Sequence, residues 1–291
     1  MRSNINEVRE DAKDNGIIQE EVNLQYHWYL LCFFVIYLFS FFIPGAIFMV
    51  YTWYLFFPYY LEAATFLSVF SKLESIIALI LMPGILLICY LLHLILIAFT
   101  TRWIWGITER ISPTKEGIIP RNIHSKTINY YHLRSFMIKY PKSVFTKGMM
   151  PWLSNWFFNF VKTSRIGKGA TIEEQVGADK FIEIGNDSYI GVNSLLTSHV
   201  VEGIFGNISY FKVKIGNNVT CGGLNGLGPG SIAKDNSFLL PYATGGKHHI
   251  IKGNNYYFGI PLRKIFPKKI MEYLSITPKD LEKNESKMVN Y

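Results

Sequence analysis

Cysteine is scarce in this 291-residue chain: Cys32, Cys89 and Cys221 are the only three, and no two form a CxxC pair. That gives no support to a disulfide framework or a zinc knuckle. Charge is missing over long stretches. No Asp, Glu, Lys or Arg lies between Glu21 and Glu62, and Ile76 to Phe99 is uncharged and mostly aliphatic. A helix needs about 20 apolar residues to cross a bilayer, so each stretch holds one span, over about 28–57 and 76–99. The first is longer than one span but too short for two with a turn, and its Pro44-Gly45 pair is expected to kink or unwind it. Tyr26, Trp28, Trp53, Tyr54, Tyr59 and Tyr60 crowd its ends, as an interfacial aromatic belt does. The length of the run and the lack of a small-residue cleavage site argue against a cleaved signal peptide.

Acids are outnumbered by bases, 21 against 29, for a net charge of +8. Residues 1–26 carry Arg2, Arg9 and Lys13 against six acids, and the connector from Glu62 to Ser75 carries only Lys72 against two, so the excess lies after Phe99. Counting Lys and Arg near the spans places both termini and the large C-terminal part on the cytoplasmic side of a multi-pass membrane protein. Such basicity suits a domain resting on anionic lipid, so membrane lipids are expected partners. Nucleic-acid binding, the other reading of the charge, lacks any recognition motif and is not expected.

Periodicity is abundant. Counted in sixes from Ile166, the chain reads IGKGAT, IEEQVG, ADKFIE, IGNDSY, IGVNSL, LTSHVV, and from Ile215 it resumes IGNNVT, CGGLNG, LGPGSI, AKDNSF, LLPYAT, GGKHHI. An apolar or small residue opens nearly every unit and Gly often follows. Eighteen residues then make one triangular coil of parallel β-helix, with first-place side chains, Cys221 among them, filling the interior. Gly at the second place is expected to supply backbone conformations that a Cβ penalises. A β-helix has no groove in which to hide two apolar helices, which disfavours a buried core hairpin as the reading of the N-terminal runs.

The domains expected are an N-terminal segment (1–26), a transmembrane hairpin (27–99), an aromatic and basic linker (100–161), the β-helix (162–265) and a helix with a loose charged tail (266–291). The fold class is mainly β: a left-handed parallel β-helix preceded by two transmembrane helices. Within the linker, Tyr131–Tyr140 and Met149–Val161 read as helical pieces at the membrane surface. Arg102, Arg110, Arg134, Lys139, Lys142 and Lys147 are placed to meet lipid phosphates. Trp152, Trp156 and Phe157 either touch the membrane or cap the first coil, and the two roles are compatible.

The beat breaks once. Val201 ends the second coil and Ile215 begins the third, so the 13 residues from Glu202 to Lys214 loop out at a corner. His199 holds the fourth place of its unit just before the loop, Gly230 the same place one coil on and His248 two coils on. The column leaves an empty slot over the glycine for a slender ligand, and the two rings, about 10 Å apart at the usual strand spacing, are too distant to share one metal ion. His199 is a candidate general base, since imidazole takes a proton from an amine or hydroxyl near neutral pH. Glu202, three residues on, is a candidate to orient it. Against this stands an ordinary surface histidine beside a loop. His27 and His93 read as interfacial or helix-packing residues.

These features resemble the left-handed β-helix, hexapeptide-repeat acyltransferase superfamily, in which a loop-bounded histidine is the general base for transfer from acyl-CoA. The closer likeness is to the membrane-bound C-terminal module of polylysine synthase-like nonribosomal peptide synthetases. It rests on the spans, Arg102-Trp103, the run Ser198-His199-Val200-Val201-Glu202-Gly203 with Ile215-Gly216 after the insertion, and the closing Gly259-Ile260-Pro261-Leu262-Arg263-Lys264. Ser198 and Val200 depart from the family's usual neighbours of the histidine. The resemblance implies a homotrimer with the donor, an acyl-CoA or carrier-bound thioester, in the groove between protomers, and no tightly bound cofactor or metal. It implies His199 and Glu202 as catalytic residues, and Gly222, Gly223, Gly230, His248, Arg263 and Lys264 as donor-binding, with Gly222-Gly223 supplying oxyanion donors. Adenylation and carrier proteins are implied as partners for a peptide-forming role. Two other classes are a carbonic-anhydrase-like metal site on the same prism and a non-catalytic trimeric membrane scaffold.

Overall fold

The computed structural model describes residues 24–62, 65–173, 180–203 and 206–265. The N-terminal segment before residue 24 and the tail after residue 265 lie outside the described residues. The chain divides into two compact units. One, spanning Val22–Thr114 and His124–Gly148, is helical. The other takes Lys115–Ile123 and the chain from Met149 onward. The stretch expected as a separate linker is therefore shared between the two. The expectation of a mainly β chain also needs correcting, because helical residues outnumber strand residues among those described.

The helical unit is built on α1 (Tyr26–Tyr51), which continues as a π-helical stretch over Thr52–Leu61, and α3 (Leu73–Ile111), with the short α2 (Phe66–Ser71) between them. The 36-residue first run and 39-residue second run are long and apolar enough to cross a membrane. At about 1.5 Å per residue each exceeds the hydrocarbon thickness. Most of their side chains face outward, Phe42, Ile80 and Leu30 among them, which an apolar surrounding tolerates and water does not.

Pro44 does not break α1. Its missing N–H orphans the carbonyl of Ser40 four residues back, and His93 on α3 brings its Nδ1 to 3.1 Å from that oxygen. Cys89 Sγ lies 3.4 Å from the Pro44 carbonyl itself. The departure from α-geometry comes instead at Thr52–Leu61, which contains Pro58, where widening the helix relieves a proline's clash with the preceding turn. Nor does the second span stop at Phe99. The helix passes through Pro83, and no further proline lies between Phe99 and Ser112, so α3 runs on to Ile111.

Arg134 departs from its expected place at lipid phosphates. On α4 (Lys126–Met137) it is only 4% exposed, and its Nη1 donates to the carbonyls of Ser112 (2.8 Å) and Thr108 (3.2 Å) at the C-terminal end of α3, with Glu109 3.4 Å away. A guanidinium there satisfies carbonyls the helix leaves unpaired and opposes its negative end. Replacing it with methionine is expected to cost about 2 kcal/mol, the scale of charge-assisted hydrogen bonds, and thermal unfolding of the detergent-solubilised protein would register that loss. α5 (Lys139–Lys147) completes this unit.

The second unit is a triangular parallel β-helix. Its first face stacks β2 (Ser164–Ile166), β4 (Ile182–Ile184), β9 (Val213–Ile215), β12 (Ile232–Ala233) and β15 (Ile250–Ile251). The second stacks β3 (Thr171–Ile172), β5 (Tyr189–Ile190), β10 (Thr220–Cys221), β13 (Ser237–Leu239) and β16 (Asn255–Phe258), closed by the antiparallel β17 (Arg263–Ile265). The third stacks β6 (Leu195–Leu196), β11 (Gly226–Leu227) and β14 (Thr244–Gly245). First-place residues line up as the beat requires: Ile166, Ile184, Ile215, Ala233 and Ile251 pair in one column, all buried. Burial pushes the Cys221 thiol up to about 12, so it behaves as a small hydrophobe.

Corner chemistry differs from expectation. Left-handed backbone falls at the fourth place: Gly169, Phe181, Asp187, Asn193, Asn218, Leu224, Gly230, Asn236, Tyr242, His248 and Asn254 all have positive φ. Asn and Asp tolerate that region better than most residues. Second-place Gly answers a different demand. A Cβ on Gly191 would sit 2.7 Å from the Cys221 carbonyl oxygen and 2.8 Å from the Gly223 nitrogen, so glycine is there because the next coil is too close. Side-chain ladders reinforce the stack: Asn186 accepts from Lys168 N–H (2.9 Å), and Asn217 from Asn186 N–H (2.8 Å).

The first coil is capped by α6 (Ser154–Val161), with Phe157 and Phe158 fully buried. Asn159 fixes the lid by exchanging two 2.9 Å hydrogen bonds with the backbone of Ile166. Trp152 is 69% exposed and Trp156 stacks on Phe160, so of the three aromatics named as caps, Phe157 is the buried one.

Candidate active site

The loop-out is a folded element, and it begins earlier than the repeats suggest. The chain leaves the prism after Ser198, runs as β7 (His199–Glu202), turns, returns as β8 (Asn207–Tyr210) and rejoins the first face at Val213. Val200 and Val201 favour an extended chain, and Phe211 N–H closes the hairpin base on the Ser198 carbonyl at 2.9 Å. A third strand comes from far upstream: β1 (Gly117–Pro120) pairs antiparallel with β8, and Glu116 accepts the Lys212 N–H at 2.9 Å. Nothing in the six-residue beat points to β1.

His199 is thus the first residue of a hairpin strand. It is absent from the fourth-place residues with positive φ, because the chain extends there instead of turning. Thr197 Oγ1 holds its backbone, accepting the His199 N–H at 3.3 Å and donating to the His199 carbonyl at 2.7 Å. The ring is half-buried at the corner between the third and first faces. It lies edge-on to Tyr210, its cross-strand partner, with centroids 6.2 Å apart, and Tyr210 in turn packs against Phe181 at 5.2 Å. Sequence reasoning missed Tyr210, which becomes legible only once the strand register is known.

Glu202 is not set to orient His199. Alternation along β7 sends the two side chains to opposite faces, and the carboxylate accepts from Ser209 Oγ (2.8 Å) and pairs with Lys247. Its contacts tie the hairpin to the prism, because Lys247 stands on the last described coil of the third-to-first corner. Lys247 first, then Ser209, hold the Glu202 carboxyl below the ordinary carboxylate range. A depressed folded value means the stabilisation is complete above that range and is lost as pH falls through the folded value. Amide exchange in β7 and β8 is therefore expected to quicken at acid pH, after correction for intrinsic rates. Glu202→Gln should show the looser hairpin at every pH.

The slot over Gly230 is not empty. A Cβ at Gly230 would overlap the His248 ring, and that ring also packs against Phe211 with centroids 4.7 Å apart. His248 fills the space foreseen for a slender ligand. Gly222 and Gly223 belong to the corner between the second and third faces. Gly222 N–H donates to the Leu239 carbonyl (2.8 Å) and Gly223 N–H to Asn225 Oδ1 (3.0 Å). Both amides are engaged within the prism, which corrects their expected role as oxyanion donors. Arg263 and Lys264 are exposed on β17, at the end of the second face, and that face lies opposite the corner carrying His199. Among the described residues no three His, Cys, Asp or Glu side chains gather closely enough to hold a metal ion.

No protein-family model and no curated protein matches this sequence. Among solved structures the chain is similar to a hexapeptide-repeat-containing acetyltransferase from Vibrio cholerae, at 19% identity and a TM-score of 0.33, over 37% of this chain and 64% of that one. It is also similar to such an acetyltransferase complexed with acetyl coenzyme A from Vibrio cholerae O1 biovar eltor, at 14% identity and a TM-score of 0.38, over 48% and 87% of the two chains. A third is a galactoside acetyltransferase in complex with coenzyme A, at 19% identity and a TM-score of 0.34, over 47% and 81%. The chain spans just under two thirds of the first of these.

Proposed function

We propose that this chain is a membrane-anchored acyltransferase in which His199 is the general base. The observation that carries the reading is the break in the corner pattern: at His199 the chain abandons the left-handed turn and presents an imidazole on a pinned hairpin at the prism edge. The acceptor is an amine or hydroxyl. As its nitrogen or oxygen attacks the carbonyl carbon of a thioester, the ring takes the departing proton. An amide or ester bond forms, the C–S bond breaks, and the thiol leaves with the proton returned from the imidazolium. The donor is an acyl-CoA or a carrier-bound thioester; an aminoacyl donor would bring in adenylation and carrier proteins as partners. Glu202 acts through the hairpin as a positioning residue.

The β-helix winds left-handed and trimerises in this reading. Support comes from Val192, Leu224 and Tyr242, which lie exposed at successive turns of the second-to-third corner, an apolar stripe that neighbouring copies would cover. The spans run as a hairpin with both termini and the β-helix cytoplasmic, as the Lys and Arg distribution indicates. Light scattering of the detergent-solubilised protein, corrected for bound detergent, tests the trimer; a monomeric mass would sink it. Thiol release from acetyl-CoA, with a panel of amines and sugars as acceptors, tests the activity. No acceptor-dependent release from either CoA or carrier thioesters would favour the scaffold reading.

A further inference from the structure

A second cleft lies on the first face of the prism, beside the first two coils and beneath the capping helix. Its volume is about 470 Å³. Lys162, Arg165, Lys180 and Lys212 line it, against Glu183 as the one carboxylate in the lining, and Glu183 already pairs with Lys212 at 3.1 Å. Among the described residues Lys162 and Arg165 have no ion-pair partner. Thr163 and Ser164 lie between them in sequence and line the same cleft. They are 2% and 8% exposed, and the hydroxyl of each has no hydrogen-bond partner. Ser164 alternates onto the interior side of β2 with Ile166, away from the exposed Arg165. A buried hydroxyl is normally satisfied, so it is Thr163, beside Lys162, that asks for an acceptor from outside the chain.

We propose that this cleft binds a phosphate group, carried by a soluble phosphorylated molecule or by the headgroup of an anionic lipid. A phosphate offers several strong acceptor oxygens and up to two negative charges. That matches the Thr163 hydroxyl and an excess of cations better than a carboxylate or an apolar ligand would. The cations sit on elements that fix their spacing. Lys162 is the left-handed C-cap of α6, while Arg165 on β2 is paired in register with Glu183 on β4. The site stands apart from the His199 corner and does not depend on the acyl-transfer reading.

The test uses the full-length protein in uncharged detergent micelles, titrated calorimetrically with two probes. One is inorganic phosphate; the other is a short-chain phosphatidic acid, with short-chain phosphatidylcholine as its control. Binding of at least one phosphate probe is expected, weakening as salt rises. Saturation by inorganic phosphate assigns a soluble ligand, and saturation by phosphatidic acid alone assigns a lipid headgroup. The double variant Lys162→Gln/Arg165→Gln should weaken the interaction by about tenfold or more, since removing even one charge-assisted hydrogen bond costs about that factor. Both positions are exposed, so the fold should survive. Thr163→Val should weaken binding severalfold at unchanged thermal stability, and if it fails to fold the exposed pair decides. Lys168→Gln, on the same coil outside the cleft, should bind as the parent does. The proposal is overturned if neither probe binds, if the double variant binds like the parent, or if Lys168→Gln loses as much as the double variant.

Discussion

Substituting His199 with alanine is expected to slow acceptor-dependent thiol release by about 10²–10⁴-fold, the usual contribution of a positioned general base. The fold should be nearly unaffected. β7 is held by backbone pairing with β8 and by the Glu202–Lys247 tie, neither of which uses the imidazole. His199→Gln separates chemistry from packing. Glutamine preserves much of the volume beside Tyr210 but cannot take up a proton, so it should be as slow as alanine. Recovery of the parental rate in His199→Gln would make the ring a packing element and transfer support to the scaffold. The measurement is initial rate against acceptor concentration, with thermal unfolding in parallel.

The largest effect on stability is expected at Gly191. An alanine there places its Cβ 2.7 Å from the Cys221 carbonyl oxygen, 2.8 Å from the Gly223 nitrogen and 3.0 Å from the Gly222 carbonyl carbon. All three are backbone atoms of the next coil, and they are held by the ladder in which Gly191 N–H donates to Cys221 O at 2.8 Å. Nothing flexible can yield, so the coils must separate locally at a cost of about 3 kcal/mol or more, the upper end for overpacking. Gly84→Ala is the comparison, because a Cβ on Gly84 meets nothing within 4 Å; alanine there should be neutral or slightly stabilising by helix propensity. Limited proteolysis and thermal unfolding would report the contrast. Equal stabilities would mean that second-place glycine is not needed for coil spacing.

Much of this protein is legible in one dimension. A repeat of six makes the coil period visible, because each first-place side chain meets only its counterparts one coil away, and Ile166, Ile184, Ile215, Ala233 and Ile251 stack as counted. Two long uncharged runs give two helices, since local apolarity and length are all that such helices need. The break in the beat is visible too, and it marks the residue on which the proposed chemistry rests.

What escaped the sequence depends on pairings between distant residues. β1 completes the hairpin sheet from some 90 positions upstream of β8, and no local pattern announces an edge strand of four residues. Arg134 looked like a lipid-facing charge because its charge was visible and the carbonyls of Thr108 and Ser112 were not. Pro44 looked like a break because the partner of its orphaned carbonyl, His93, sits 53 residues from Ser40. By itself the sequence determined the period, the apolar spans and the interruption at His199, all of them local or strictly repetitive. Only the tertiary structure decided which way Glu202 faces, what fills the space over Gly230 and which backbone amides are already engaged. Those outcomes turn on strand register and on the approach of one coil to the next, which bring together atoms that the order of residues keeps apart.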